Sequence, residues 1–251
     1  MGRDTIWKNN KESALIHLAL IKTHNENHNV RTFYFKPERP IHYTSGQFIE
    51  MYLPHERPDE RGEKHWFTLT SSPTEKLLSI TTKYAAKKAS TFKKALFGLK
   101  PSDVVKIVEP MGDFVLPKDA SIPLVFVAGG IGVTPFHSMA KWLTDTGEKR
   151  QIQVLLAANK PQDVLFEKLF SDYGAQVTVI VSEPAPNWKG QVGRLSAEKI
   201  FEIIDKSNSK RIYVSGPEPM VEALEQDLQK HGIKKSQLVL DFFPGYTADL
   251  K

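Results

Sequence analysis

The chain has 251 residues, 40% of them hydrophobic and 25% charged, with a formal net charge of +5 and no cysteine. The length allows one large domain or two smaller ones, and the missing cysteine excludes disulfides, thiolate zinc sites and cysteine-ligated iron–sulfur clusters within the chain. No apolar run approaches the ~18 residues of a membrane span, and no RNP pattern, helix-turn-helix pattern or arginine-rich tract points to nucleic acid.

Between positions 13 and 116 the chain is strand-rich. Residues 14–21 and 30–35 read as the first two strands, split by a polar turn over 24–29. The second alternates, with Val30, Thr32 and Tyr34 on one face and Arg31, Phe33 and Phe35 on the other. Residues 47–53 form the next strand, and the charged segment 55–64, with Pro58 and Gly62, reads as an exposed loop. Residues 66–70 and 77–84 are strand-like and are separated by Ser72-Pro73, a short helix covers 90–96, and 104–108 is a final strand. Short strands at this spacing predict a small antiparallel barrel.

After Pro117 the rhythm changes to alternating strand and helix. Strands are expected at 122–128, 152–156, 177–181, 211–214 and 237–240, and helices at 134–144, 164–170, 197–204 and 219–229. Alternation of this kind means βαβ units on a parallel sheet. The fold class is therefore two-domain, an N-terminal antiparallel β-barrel over 10–118 and a C-terminal α/β domain over 119–251, with the boundary where Pro117, Lys118, Asp119 and Pro123 cluster.

The stretch Val127-Ala128-Gly129-Gly130-Ile131-Gly132-Val133-Thr134-Pro135 joins the first strand of the second half to its first helix. Strand, glycine turn and helix make the setting in which backbone N–H groups converge on a phosphate. Thr134 suits the N-cap and Pro135 the first helical position. The pattern is neither the usual dinucleotide fingerprint, since Pro135 stands at its third glycine, nor a Walker loop, since no Lys-Ser/Thr pair follows. A structural glycine turn is the alternative.

The second strand of this half ends Ala157-Ala158-Asn159-Lys160. An acidic residue there would favour the ribose hydroxyls of NAD, whereas Lys160 suits a 2′-phosphate and leans toward NADP, unless it only closes a solvated loop. The fourth strand ends Ser215-Gly216-Pro217, which should lie on the same rim as the first glycine turn, because ligands bind beyond the carboxyl ends of parallel strands.

In the barrel half, Lys64-His65-Trp66-Phe67-Thr68-Leu69-Thr70 sets basic, aromatic and hydroxyl groups on one strand, with His65, Phe67 and Leu69 on one face. Ala89-Ser90-Thr91-Phe92 opens the helix and reads as an N-cap or an anion site.

Taken in this order, the motifs resemble those of the ferredoxin–NADP⁺ reductase family of flavoproteins, from about Ala14 to Tyr246. His65-Trp66-Phe67-Thr68 is similar to that family's Arg-x-Tyr-Ser/Thr flavin motif. The resemblance implies that Phe67 lies against the flavin ring of FAD, that Thr68 hydrogen-bonds near its N5, and that His65, helped by Lys64, stands in for the arginine at the pyrophosphate. Thr82-Lys83-Tyr84 is implied beside the same flavin, and Ser90, Thr91 and Phe92 at the pyrophosphate. Leu99-Lys100-Pro101-Ser102-Asp103 and Pro110-Met111-Gly112-Asp113-Phe114 resemble two further turns of the family. Gly129, Gly130, Gly132, Thr134 and Pro135 match its nicotinamide-nucleotide turn, and Ser215-Gly216-Pro217 its Cys-Gly-Pro motif with serine for cysteine. The ending Asp241-Phe242-Phe243-Pro244-Gly245-Tyr246 resembles the segment whose aromatic ring covers the flavin, here Phe243 or else Tyr246.

The resemblance implies an FAD-dependent NAD(P)H oxidoreductase, with hydride transfer between nicotinamide and flavin and release of electrons to a one-electron carrier. Asp241 is read as a proton relay or a structural hydrogen-bond partner. An acidic ferredoxin or flavodoxin suits the basic chain as partner. Reduction of a quinone, ferric chelate or free flavin is the alternative, and a non-catalytic redox-sensing module is a third reading. The first ten residues lack the apolar core of a signal peptide, so the expected location is the cytoplasm. No metal site is expected, and the sequence leaves oligomeric state open.

Overall fold

A computed structural model describes residues 15–86, 89–204 and 210–242. The chain divides into two compact units, with the break between Asp113 and Phe114.

The first unit contains β1 (Ile16–Asn25), β2 (Val30–Pro37), β3 (Phe48–Tyr52), β4 (Lys64–Thr68), β5 (Leu78–Lys83), α1 (Thr91–Gly98) and β6 (Val104–Ile107). The strands lie in the order β4-β3-β6-β1-β2-β5, and every pairing is antiparallel. Just beyond β4, the Thr70 amide donates to the Ser79 carbonyl of β5 at 2.8 Å, which brings the two edge strands together as a barrel requires. Alternation fills the interior. Leu18 and Leu20 of β1, Phe33 and Phe35 of β2, Ile49 and Met51 of β3 and Phe67 of β4 meet Phe92 and Leu96 of α1 in one core.

One local reading changes. The first strand runs on to Asn25, so the turn is shorter than its polar composition suggests, because pairing with β2 carries His24 and Asn25 opposite Thr32 and Arg31. On the face of β4 opposite His65, Trp66 is exposed and Thr68 is buried, as is Thr70 just beyond the strand.

The second unit contains β7 (Leu124–Gly129), α2 (Thr134–Thr146), β8 (Ile152–Ala158), α3 (Glu167–Tyr173), β9 (Gln176–Val181), β10 (Gln191–Val192), α4 (Ala197–Ile203), β11 (Arg211–Ser215), α5 (Glu218–Lys230) and β12 (Leu238–Asp241). Its sheet is parallel throughout, in the order β10-β9-β8-β7-β11-β12. The strands progress outward from β7 through β8 and β9 on one side and resume at β11 on the other. The carboxyl ends of β7 and β11 therefore flank the point where the winding reverses.

Both faces of this sheet are covered. Val125, Val127, Ile212 and Val214 pack with Val221, Leu224 and Leu228 of α5 and Ile200 of α4. On the alternate positions, Phe126 stacks on Phe136 of α2 at 4.5 Å between ring centroids, and Tyr213 meets Phe126 edge-on at 5.7 Å. The Tyr213 hydroxyl donates to the Val115 carbonyl at 2.7 Å. Arg150 donates to the Pro117 carbonyl at 2.9 Å, so the proline-marked segment is fastened to this unit. The helix expected over 164–170 begins later, at Glu167, because Phe166 takes a left-handed conformation (φ 59°) and breaks the turn before it.

Candidate functional site

In the α/β unit the glycine stretch lies where the topology invites a ligand. β7 ends at Gly129, a 3-10 turn covers Gly130–Val133, and α2 follows. Gly132 presses on the end of β11, since a Cβ built on it would sit 2.3 Å from the Ser215 carbonyl oxygen and 2.5 Å from the Gly216 nitrogen. A Cβ on Gly216 would in turn lie 3.2 Å from the Gly129 Cα. The two glycine turns thus share one rim, as the order of the motifs implies, and they touch backbone to backbone. Gly130 has φ +54° with open space around its Cα.

Thr134 is not the N-cap. Val133 holds that place without a side-chain bond, and Thr134 is the first helical residue. The 3-10 turn has already brought Val133 into helical geometry, so the cap moves one residue back. Pro135 sits in the first turn, where its missing N–H costs nothing. No acidic side chain occupies that turn, so the positive end of the helix dipole keeps no anion of its own there.

Ser215 is buried and donates its hydroxyl to Asp241 Oδ2 at 3.0 Å. β11 and β12 run in register, so that Ser215 stands opposite Asp241. Burial pushes the Asp241 carboxyl up to about 6, and the Ser215 hydrogen bond offsets part of that rise. A carboxyl poised there can hold or release a proton near neutrality.

Asn159 and Lys160 follow β8, as read from sequence. Glu183 joins them unannounced. Its amide donates to the Asn159 carbonyl at 2.8 Å, and its carboxylate lies 3.7 Å from the Lys160 ammonium. The cation expected to meet a 2′-phosphate already has an anion beside it. Glu183 stands just beyond the next strand, and only the pairing of β8 with β9 reveals its proximity.

In the barrel, β4 turns His65 and Phe67 inward and Trp66 outward, where its ring meets Phe48 edge-on at 6.4 Å. His65 packs on the Phe92 ring at 4.1 Å and is only 4% exposed. Burial first, and then the charges of Lys93 and Arg61, hold its imidazole down at about 4. The expected stand-in for a phosphate-binding arginine is therefore neutral at pH 7 and directed into the core. Lys64 cannot assist from the same face, since its ammonium sits 4.5 Å from the Tyr52 ring centroid on the outer side of β4. Phe92 is itself a core residue with no exposed surface.

Thr68 and Thr82 are buried hydroxyls on β4 and β5. The Lys93 ammonium reaches both elements, hydrogen-bonding Thr82 Oγ1 and lying 4.7 Å from the Phe67 ring centroid. Lys83 is exposed at the end of β5, and Tyr84 packs on Phe97 at 4.8 Å.

Ser90 caps α1, its hydroxyl accepting from the Lys93 amide at 3.0 Å. The Thr91 amide, expected at a pyrophosphate, donates to Asp59 Oδ2 at 3.0 Å. The Thr91 hydroxyl accepts from the Asp59 amide and bonds His55 Nε2, each at 2.9 Å. The Arg61 guanidinium, followed by the Thr91 and Arg61 amides, holds the Asp59 carboxyl down at about 2 despite some desolvation. The loop expected to be merely exposed therefore supplies a carboxylate to the helix end. His55, Asp59 and Lys93 escape the sequence reading, the first two because they act across more than 30 positions.

Phe243 and Tyr246 lie outside the described residues.

What the residues offer is consistent with two nucleotides. In the barrel an ammonium, an aromatic ring and a hydroxyl meet at Lys93, Phe67 and Thr82; the α/β unit presents a backbone cradle that no Cβ could share.

Comparison with known proteins agrees. Residues 126–226 match the family model of the oxidoreductase NAD-binding domain. The chain is 26% identical over 257 residues to the glycine betaine monooxygenase reductase subunit of Chromohalobacter salexigens, covering 98% of this chain and 67% of that protein. It is 27% identical over 239 residues to flavohemoprotein A of Dictyostelium discoideum, covering 88% of this chain and 58% of that one. The chain thus spans about two thirds or less of these relatives. Among solved structures, the flavohem-like FAD/NAD binding domain of nitric oxide dioxygenase from Vibrio cholerae superposes with a TM-score of 0.79 at 19% identity, over 91% of this chain and 98% of that domain.

Proposed function

We propose that the chain is a ferredoxin–NADP⁺ reductase-like oxidoreductase that binds FAD in the barrel and NAD(P)H in the α/β unit and passes electrons to a separate one-electron carrier; the match of residues 126–226 to the oxidoreductase NAD-binding domain and the reductase-subunit relative support it. The observation that carries this reading is the seating of Gly132 against Ser215 and Gly216 at the reversal point of a parallel sheet. That is where a dinucleotide pyrophosphate finds backbone N–H groups and a helix N-terminus together.

Bound flavin supplies the chemistry that turns a two-electron hydride into single electrons. The chain's own residues bind, orient and move protons. Thr68 offers its hydroxyl to the polar edge of the flavin, whereas Phe67, packed in the core against Phe92, backs that strand and Thr82 holds the Lys93 ammonium. The glycine rim holds the nicotinamide nucleotide. Ser215 keeps the Asp241 carboxyl oriented, and Asp241, with its raised pKa, exchanges a proton at its Oδ atoms near neutral pH.

The electron acceptor we infer is an acidic carrier of the ferredoxin or flavodoxin class, drawn to the basic chain by long-range attraction. The relative named as the reductase subunit of a monooxygenase supports a separate protein partner. Among the described residues no helix is long and apolar enough to cross a membrane.

The test is direct. Purified protein should be yellow and should bleach anaerobically on addition of NADPH or NADH; a colourless protein that takes up no FAD overturns the proposal. The acceptor is tested separately. Reduction of an acidic carrier should slow as salt rises, whereas turnover of quinones or ferric chelates alone, with no salt-dependent reduction of the carrier, would replace it with a small-molecule acceptor. Titrating NADPH against NADH reads the contribution of Lys160 beside Glu183.

A further inference from the structure

The barrel leaves a charge unaccounted for. Its flavin-type motif carries His65 where a cation is needed, and His65 is buried against Phe92 with its ring in the core. Lys64 is turned to the opposite face, over Tyr52. The first amide of α1 already donates to Asp59, so the helix end has less to give a phosphate than its position suggests.

Helix α1 nevertheless carries two lysines, Lys93 and Lys94, in its N-terminal half, and no acidic residue in its first turn. That is the unfavourable end for positive charge, because the helix dipole is positive there too. Local rules broken in this way tend to mark function. The two lysines differ in placement. Lys94 is exposed, while Lys93 is half-buried, its ammonium over the Phe67 ring and hydrogen-bonded to Thr82. Lys93 thus joins the helix end to β4, which carries the flavin-type motif, and to β5.

We propose that Lys93 is the cationic anchor for the phosphates of the flavin nucleotide, taking the role that His65 cannot fill. This rests on FAD occupying the barrel, as inferred above. An ammonium held at a helix N-terminus by an aromatic face and a hydroxyl is pre-positioned, so little side-chain entropy is lost when a phosphate oxygen arrives. It also explains how the motif tolerates a neutral residue at its first position.

The experiment measures equilibrium binding of FAD and of riboflavin to the full apo-chain by flavin fluorescence, at low and high salt, for wild type, K93Q, K93R and K94Q. K93Q should weaken FAD binding by about tenfold or more, the scale of one charge-assisted contact, and should flatten its salt dependence. Riboflavin, which has no phosphate, should be indifferent to K93Q. K93R should retain most of the affinity, and K94Q, with the same loss of charge, should bind FAD as wild type does. Circular dichroism confirms that each variant is folded, and the salt dependence of wild type provides a reading that needs no variant. Wild-type binding with K93Q unchanged, or with K94Q equally weakened, or with riboflavin weakened as much as FAD, overturns the anchor while leaving FAD binding in place. A wild-type chain that takes up no FAD overturns the functional proposal and the anchor with it.

Discussion

The two units build their candidate sites by different means. In the α/β unit the work is done by absence. Glycines let main chain approach main chain at the end of β7 and β11, and a side chain added at Gly132 would strike backbone. In the barrel it is done by side chains reaching across the fold, with Asp59 and His55 on Thr91, Lys93 on Thr82 and Phe67, and His65 on Phe92. The lesson is that close main-chain approach announces itself in sequence, because only glycine permits it. Side-chain cradles do not.

The largest test of the contrast sets one core deletion against one backbone clash. Phe92→Ala empties the centre of the barrel and should cost about 3–5 kcal/mol. Gly132→Ala should cost about 3 kcal/mol or more, since Ser215 and Gly216 main-chain atoms cannot turn aside as a flexible side chain can. Hydrogen exchange read unit by unit should show each substitution loosening its own unit. Loosening of both units by either one would show that their stabilities are not separable.

Acidification should push the units in opposite directions. The His65 imidazole is held at about 4 in the fold and ionises near 6.5 when unfolded. The barrel's preference for neutral imidazole is intact above pH 6.5 and is lost as pH falls toward 4. Asp241 is the reverse, raised from 3.8 to about 6. The folded α/β unit bears the cost of an ionised, half-buried carboxylate above pH 6 and is relieved as pH falls toward 4. At about 1.4 kcal/mol per pKa unit, the barrel's loss should reach about 3 kcal/mol and the α/β unit's relief about 2 kcal/mol. Urea titrations at pH 4–7.5, with exchange followed per unit, check both signs. Asp241→Asn should abolish the acid relief of the α/β unit and raise its stability at pH 7.

A smaller effect separates the helix ends. Asp59→Ala removes the carboxylate on the Thr91 amide and should destabilise the barrel by about 1 kcal/mol, as loss of a helix cap does. α2 has no such side-chain cap to lose. The smallest effect belongs to the rim. Glu183→Gln frees Lys160 from an exposed pair worth under about 1 kcal/mol. Stability should barely move, while the ratio of NADPH to NADH affinity should rise; an unchanged ratio would remove Lys160 from nucleotide recognition.

These outcomes follow the line between what the sequence discloses and what it hides. Alternation in β2 and the apolar run of β7 identify their strands, because burial on one face or two leaves a periodic trace. The shared rim of Gly132 and Ser215-Gly216 follows from strand order in a parallel sheet. The two-residue β10 is too short to leave any period. The cap of α2 moves to Val133 because a 3-10 turn precedes it, and propensity alone would choose Thr134. Asp59 on Thr91, 32 positions away, and Glu183 on Lys160 are tertiary pairings with no local signature.

Met220 gives the glycine rim a chemical weakness. Its thioether fills the space that Gly129 and Gly216 leave, since a Cβ on either would lie within 2.5 Å of its sulfur or methyl carbon. Oxidation to the sulfoxide would put a polar oxygen on the thioether that packs against both glycines. Such oxidation would strain the contact between the two glycine turns, and a methionine sulfoxide reductase would restore it.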